Sequence, residues 1–149
     1  MFAPQTILIP TDFSEYSDKA FQQAIDIAKA HNSTICLLHV IDIIRQCVID
    51  YCPEKETINK FEDKNMGVSS MDQLTKQIEK FPEAKPLSIT TAVRKGLPYE
   101  EILKEQAERK IDLIVISSHG TKELPHNFVG RVAEKVIKKA KCTVLLVKK

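Results

Sequence analysis

Residues 6–14 read Thr6-Ile7-Leu8-Ile9-Pro10-Thr11-Asp12-Phe13-Ser14. The short β-branched and apolar run suits a strand buried on both faces, and Pro10, which cannot donate a ladder hydrogen bond, stops it. Ser14 then offers a side-chain oxygen to cap a helix. Glu15 and Asp18 follow in the first turn, where carboxylates suit the positive end of the helix dipole. Ala20, Phe21, Ala24, Ile25 and Ala28 recur at three-to-four spacing, which predicts a helix ending near Asn32. A buried strand followed by an amphipathic helix is the repeating half of a parallel sheet.

The same alternation continues outward from this stretch. Thr34 to Ile41 is a second, nearly continuous apolar strand. The segment from Asp42 to Ser70 starts apolar, turns charged after Pro53 and contains Gly67 as a break; it reads as a loop or insertion. Met71, Leu74, Ile78 and Phe81 predict a helix closed by Pro82 and Pro86, and Leu87 to Val93 predict the third strand. Gly96-Leu97-Pro98 is a turn that sets Pro98 at the first position of a helix with Tyr99, Ile102, Leu103 and Ala107 on its apolar face. Leu113 to Ile116 is the fourth strand. Phe128, Val132 and Val136 lie beside Val129, Ala133 and Ile137 as two ridges of an amphipathic helix ending in Lys138, Lys139 and Lys141. Thr143 to Val147 is the fifth strand. Five apolar strands separated by helices predict a single doubly wound α/β domain over residues 1–149, with a parallel sheet and helices on both faces.

Composition narrows the class further. With 149 residues, 22 basic and 20 acidic, the net charge is +2, too balanced for a dedicated nucleic-acid binder. Only four residues are glycine, which excludes collagen-like and glycine-linker chains and makes each glycine a candidate for a special backbone position. The cysteines, Cys36, Cys47, Cys52 and Cys142, form no CxxC pair and read as free or structural thiols, without a metal site. Residues 1–5 lack a basic region followed by an apolar stretch, and no apolar run approaches the ~20 residues that span a bilayer. The expectation is a cytoplasmic protein with no membrane partner.

Ligands of open parallel sheets bind outside the carboxyl ends of the strands, near the point where strand order reverses. Pro10-Thr11-Asp12, Val40-Ile41-Asp42 and Ser117-Ser118-His119-Gly120 emerge at that end. Asp12 could accept hydrogen bonds from a ribose or a base, or could cap the first helix. The loop from Ser117 to Arg131, with His119, Gly120, His126 and Gly130, is either a phosphate-binding loop at a helix N-terminus or an ordinary surface connection. His39, inside an apolar run, reads as a hydrogen-bonded core histidine, and the lysines of residues 138–141 and 148–149 as a solvated face. GxxxxGK[ST], GxGxxG after the first strand, GxSxG and HExxH are all missing, so no catalytic residue is assigned.

Residues Ile7 to Ser14, Leu38-His39-Val40, Gly96-Leu97-Pro98 and Asp112 to Gly120 resemble the universal stress protein family. The resemblance implies a five-stranded Rossmann-like sheet of order 3-2-1-4-5 and a homodimer paired through the last strand, Thr143 to Val147. Nucleotide-binding members of the family carry G-x2-G-x9-G-[ST]. Here those places hold Ser117, Gly120, Gly130 and Arg131, with the spacing and the two central glycines kept. Ser117 costs little if its φ is negative and is strained if φ is positive. Arg131 either clamps phosphate or plugs its pocket. Pro10, Asp12 and Val40 match positions that enclose adenine and ribose. With Thr11, Ile116, Ser117, His119, Gly120, Gly130, Arg131 and Val132 they form the candidate site for ATP or AMP, with Mg2+ where ATP binds. The alternatives are a nucleotide-independent dimeric adaptor, and a slow hydrolase in which His119 or Asp12 positions water.

Overall fold

The computed structural model describes residues 1–45, 66–120, 125 and 127–148. Cys47, Cys52, His126 and most of the Asp42 to Ser70 insertion lie outside the described residues. The strands are β1 (Thr6–Pro10), β2 (Thr34–Asp42), β3 (Ile89–Gly96), β4 (Leu113–Ser117) and β5 (Thr143–Val147). The helices among the described residues include α1 (Glu15–His31), α2 (Met66–Glu79), α3 (Pro98–Glu108) and α4 (Arg131–Lys139), with a 3-10 turn at Pro82–Ala84. The strands form one five-stranded sheet of order β3-β2-β1-β4-β5, and every pairing is parallel. The doubly wound reading therefore stands, strand order included.

Because side chains alternate across a strand, the three central strands serve two cores at once. Ile7, Ile9, Ile35, Leu37, Leu113 and Val115 pack under α1 and α2 with Phe21, Ala24, Ile25 and Leu74. Leu8, Cys36, Leu38, Ile114 and Ile116 face the other way, toward Ile102 of α3 and Ala133 and Val136 of α4. Ile7, Leu8 and Ile9 are fully buried. The first helix is capped as its sequence predicts. The Ser14 side chain accepts the Ser17 N–H, and Asn32 closes the helix in the left-handed conformation at φ 55°.

Four elements differ from expectation, and one of them is α4, which runs from Arg131 to Lys139 and so leaves Phe128, Val129 and Lys141 outside the helix. Helix α2 starts at Met66, so Gly67 lies in its first turn. Its buried face is Leu74 and Gln77, and Met71 is exposed. Phe81 lies beyond the end of the helix but still reaches the core, edge-on to Phe21 at 5.1 Å. Strand β3 extends to Gly96, where Arg94, Lys95 and Gly96 pair with Val40, Ile41 and Asp42. An edge strand has a solvated side that tolerates charge, which hid its end from a hydrophobic count. Helix α3 buries Glu101, Ile102 and Glu105 and exposes Ala107.

The buried carboxylates of α3 are held from β3. Arg94 donates to Glu101 at 2.8 Å, to Glu105 at 2.6 Å and to Glu108 at 3.0 Å, while Lys104 pairs with Glu101 at 2.9 Å and Arg109 with Glu105. The Cys36 thiol, 3.8 Å from Glu105, is pushed up in pKa chiefly by burial. Hydrogen bonds from Arg94 first, then Lys104, hold the Glu101 carboxyl below its ordinary value. Removing Arg94 leaves Glu105 buried with Arg109 alone. We expect Arg94→Met to lower unfolding free energy by about 2 kcal/mol at neutral pH, read by urea denaturation. The Glu101 contribution is full above the ordinary carboxyl value of 4.5 and is lost as pH falls through its lowered value, so the gap between variant and parent should narrow in acid.

Candidate functional site

In this strand order β1 and β4 are neighbours whose helices leave to opposite faces, α1 with Ile7 and Ile9, α4 with Ile114 and Ile116. That is the switch point, the place beyond the carboxyl ends where open parallel sheets generally bind their ligands. Pro10 ends β1 opposite Leu38, and the chain then turns through Thr11, Asp12 and Phe13. The Thr11 N–H bonds to the Leu38 carbonyl at 2.8 Å, and the Thr11 carbonyl lies 2.8 Å from His39 Nδ1. A carbonyl only accepts, so Nδ1 carries the proton. His39 is hydrogen-bonded as expected but half-buried and outside both cores, and burial lowers its pKa. Its ring packs on Phe13 at 4.4 Å between centroids. Phe13 sits at φ 65°, a left-handed conformation that costs a bulky L residue about 1–2 kcal/mol.

Asp12 positions the cap residue. Its Oδ1 accepts from the Ser14 N–H at 3.0 Å and from the Ser14 hydroxyl, which in turn accepts from Ser17. Its Oδ2 faces Gly120, where an added Cβ would lie 2.5 Å away. Gly120 is therefore the residue that lets the loop after β4 close against the turn after β1. Ser117 has no positive φ, so serine is unstrained there, and its hydroxyl donates to the His119 carbonyl at 2.8 Å.

The next residues hold the loop to α4. The Gly130 N–H donates to the Ser118 carbonyl at 2.8 Å, and a Cβ at Gly130 would approach that oxygen to 3.3 Å. Gly130 is the N-cap of α4 and provides no side-chain cap, so the first N–H groups of the helix have none from that position. Arg131 is exposed at the first helical position. His119 is buried, with Nε2 3.1 Å from the Pro125 carbonyl and Nδ1 2.8 Å from the Ser118 hydroxyl. In the neutral ring Nε2 donates and Nδ1 accepts, so neither nitrogen is left to hold a water.

Of the other predicted residues, Ile116 is buried in the α3–α4 core with Val40 packed against that cluster, while Val132 is exposed on α4. The Thr11 hydroxyl is buried and bonded inside the protein. Ser118 and Gln77 were not singled out from sequence. Ser118 stood inside a noted loop, but its role needs Gly130 and His119 in place; Gln77 lies far away in the chain. Among the described residues, no group of three or more His, Cys, Asp or Glu is placed to hold a metal ion, and no helix is long and apolar enough to cross a membrane.

The model of the universal stress protein family matches residues 4–148. The chain belongs to that family. The universal stress protein MJ0531 of Methanocaldococcus jannaschii is 34% identical over 143 residues, covering 96% of this chain and 81% of its own. The solved structure of MJ0577, a protein of the same organism, superposes with TM-score 0.76 at 29% identity, covering 99% of this chain and 98% of that one. A family member from Arabidopsis thaliana with AMP bound shares the fold at TM-score 0.64 and 20% identity, covering 98% of this chain and 92% of its own.

The Gly120–Asp12 approach is testable by a double-mutant cycle. Gly120→Ala must push Asp12 off Ser14, at a cost of about 1–2 kcal/mol in chemical denaturation. In an Asp12→Ala background the same change should cost less than about 0.5 kcal/mol.

Proposed function

We propose that the crevice between β1 and β4 holds an adenine nucleotide, ATP or AMP, and that the protein works as a nucleotide-binding homodimer of its family in the cytoplasm. One juxtaposition carries this reading. Gly120 closes on Asp12 while Gly130 brings the N-terminus of α4, without a side-chain cap from its N-cap residue, to the same loop. Backbone N–H groups at a helix start favour anions, and glycine lets a phosphate approach them. The same fold holds AMP in the Arabidopsis protein. Pro10, Asp12 and Val40 supply the nucleoside end; Ser117, Gly120, Gly130 and Arg131 supply the phosphate end.

Arg131 favours the clamp over the plug. A cation at the first position of a helix opposes the dipole unless an anion joins it, and its exposure leaves the guanidinium able to swing onto phosphate. Mg2+ would arrive with the phosphates of ATP, as it commonly does. Cys36 and Cys142 are free thiols, the state that a reducing compartment maintains.

The dimer rests on β5 and α4. β5 is an outer strand of the sheet, Leu145 on it is 37% exposed, and Val132, Ile137 and Phe128 are 36%, 44% and 56% exposed nearby in the sequence. An apolar edge strand left bare invites pairing with a second copy.

Calorimetric titration of nucleotide-stripped protein should give saturable binding of ATP and AMP; none at millimolar ligand overturns the reading. Arg131→Ser should weaken ATP about fivefold and AMP less, whereas tighter ATP binding would mark a plug. Leu145→Lys should turn a dimer into a monomer on a sizing column, and a parent chain already running as a monomer defeats the interface.

A further inference from the structure

Helix α2 gives no residue to the crevice just described, yet one of its side chains reaches the turn that shapes it. Gln77 is 2% exposed and lies on the buried side of α2 with Leu74, which packs in the core that holds Ala20 and Phe21 of α1. A buried amide must have its hydrogen bonds satisfied, and its partners lose theirs if it is replaced by an apolar side chain. Those bonds form a directed chain. The Thr11 hydroxyl, also 3.0 Å from Ser17 Oγ, donates to Gln77 Oε1 at 2.8 Å, and Gln77 Nε2 donates to Asp18 Oδ1 at 2.8 Å and faces Ser17 Oγ at 3.5 Å. Ser17 passes its own proton to the Ser14 carbonyl at 2.8 Å, and Lys80 pairs with Asp18 at 3.0 Å. On the other side of the same Thr11 oxygen, the Phe13 N–H donates at 3.0 Å.

One hydroxyl thus joins α2 to the strained residue. Phe13 at φ 65° persists only where its surroundings over-determine it, and Thr11 Oγ1 and the His39 ring are two of the groups that do so. Asp12 lies between Thr11 and Phe13, so a relaxed Phe13 would move the carboxylate that faces Gly120. We propose that Gln77 is a positioning residue that couples α2 to the conformation of the Thr11–Phe13 turn and so sets the affinity of the crevice for adenine nucleotide. The second half of this statement rests on the nucleotide reading above.

Gln77→Glu and Gln77→Leu test it. At pH 8 the new Glu carboxylate opposes Asp18, with Asp12 beyond the turn and Lys76 and Lys80 on the α2 side as the other charged groups nearby. Burial and Asp18 push such a carboxyl upward, against the pull of Lys80, so acidification favours its protonated form, whose O–H replaces the lost N–H to Asp18. Relative to the parent at the same pH, Gln77→Glu should weaken AMP about tenfold at pH 8, or ~1.4 kcal/mol, and recover at pH 6. Gln77→Leu should weaken it at both. Amide exchange at Phe13 should quicken in step, with retained circular dichroism excluding global unfolding. An AMP affinity equal to that of the parent at both pH values, with only the melting temperature lowered, makes Gln77 merely structural and overturns the proposal. If the parent binds neither AMP nor ATP, the nucleotide reading fails by itself. Phe13 exchange then decides the coupling: faster exchange in the variants upholds it, and unchanged exchange overturns it.

Discussion

Strand β1 is hydrogen-bonded on both edges and covered on both faces, and Thr11, the buried residue that leaves it, must satisfy its polar groups inside the protein. The rest of the site follows from that constraint. Thr11 gives its N–H to β2, its carbonyl to His39 and its hydroxyl to Gln77 and Phe13. Asp12 turns back onto Ser14 and starts α1. With both residues committed, the turn has one shape, and the loop after β4 can approach it only through a residue with no side chain. Gly120 is that residue.

The neighbouring loop obeys the same logic from the other side. Ser118 is buried and uses its backbone N–H on the Val147 carbonyl, its carbonyl on Gly130 and its hydroxyl on His119. His119 looks like chemistry in the sequence, a histidine after a strand at the ligand-binding end of a sheet. Its two nitrogens instead close a loop between Ser118 and Pro125. A histidine in that place spans two neutral partners about as well as any side chain, since one ring nitrogen donates while the other accepts.

The central strands, α1 with its Ser14 cap, and the two site glycines were legible in sequence because each leaves a local signature: an unbroken apolar run, a three-to-four period, a hydroxyl before acidic residues, a glycine where few exist. What stayed hidden is non-local. Gln77 is an ordinary polar residue on a helix until Thr11, 66 positions away, is placed beside it. Glu101 and Glu105 carry no local sign of burial; it depends on Arg94, which arrives from β3 to neutralise them. Met71 continued the apolar period of α2, and buried Gln77 shows that the period was centred one step off. Hydrophobic periodicity records which face is buried only when the buried face is apolar.

The two outer strands carry this point to the surface. β3 ends in Arg94 and Lys95, and Arg94 is clamped by three carboxylates of α3. A strand so charged gives little reward to a second strand that would have to desolvate it, which is how many sheets protect an edge. β5 has no charge between Thr143 and Val147, and its helix neighbour α4 buries Ala133 and Val136 while leaving Val132 and Ile137 outside. One edge is therefore closed by charge and the other is left apolar. Of the two apolar ridges read from the sequence, Ala133 and Val136 are buried, while Val132 and Ile137 stay exposed among the described residues. That exposed part lies on the helix that begins at Gly130 and Arg131. A second copy covering it would press on the helix proposed to meet phosphate, so the proposed assembly and the proposed ligand binding would act on one helix.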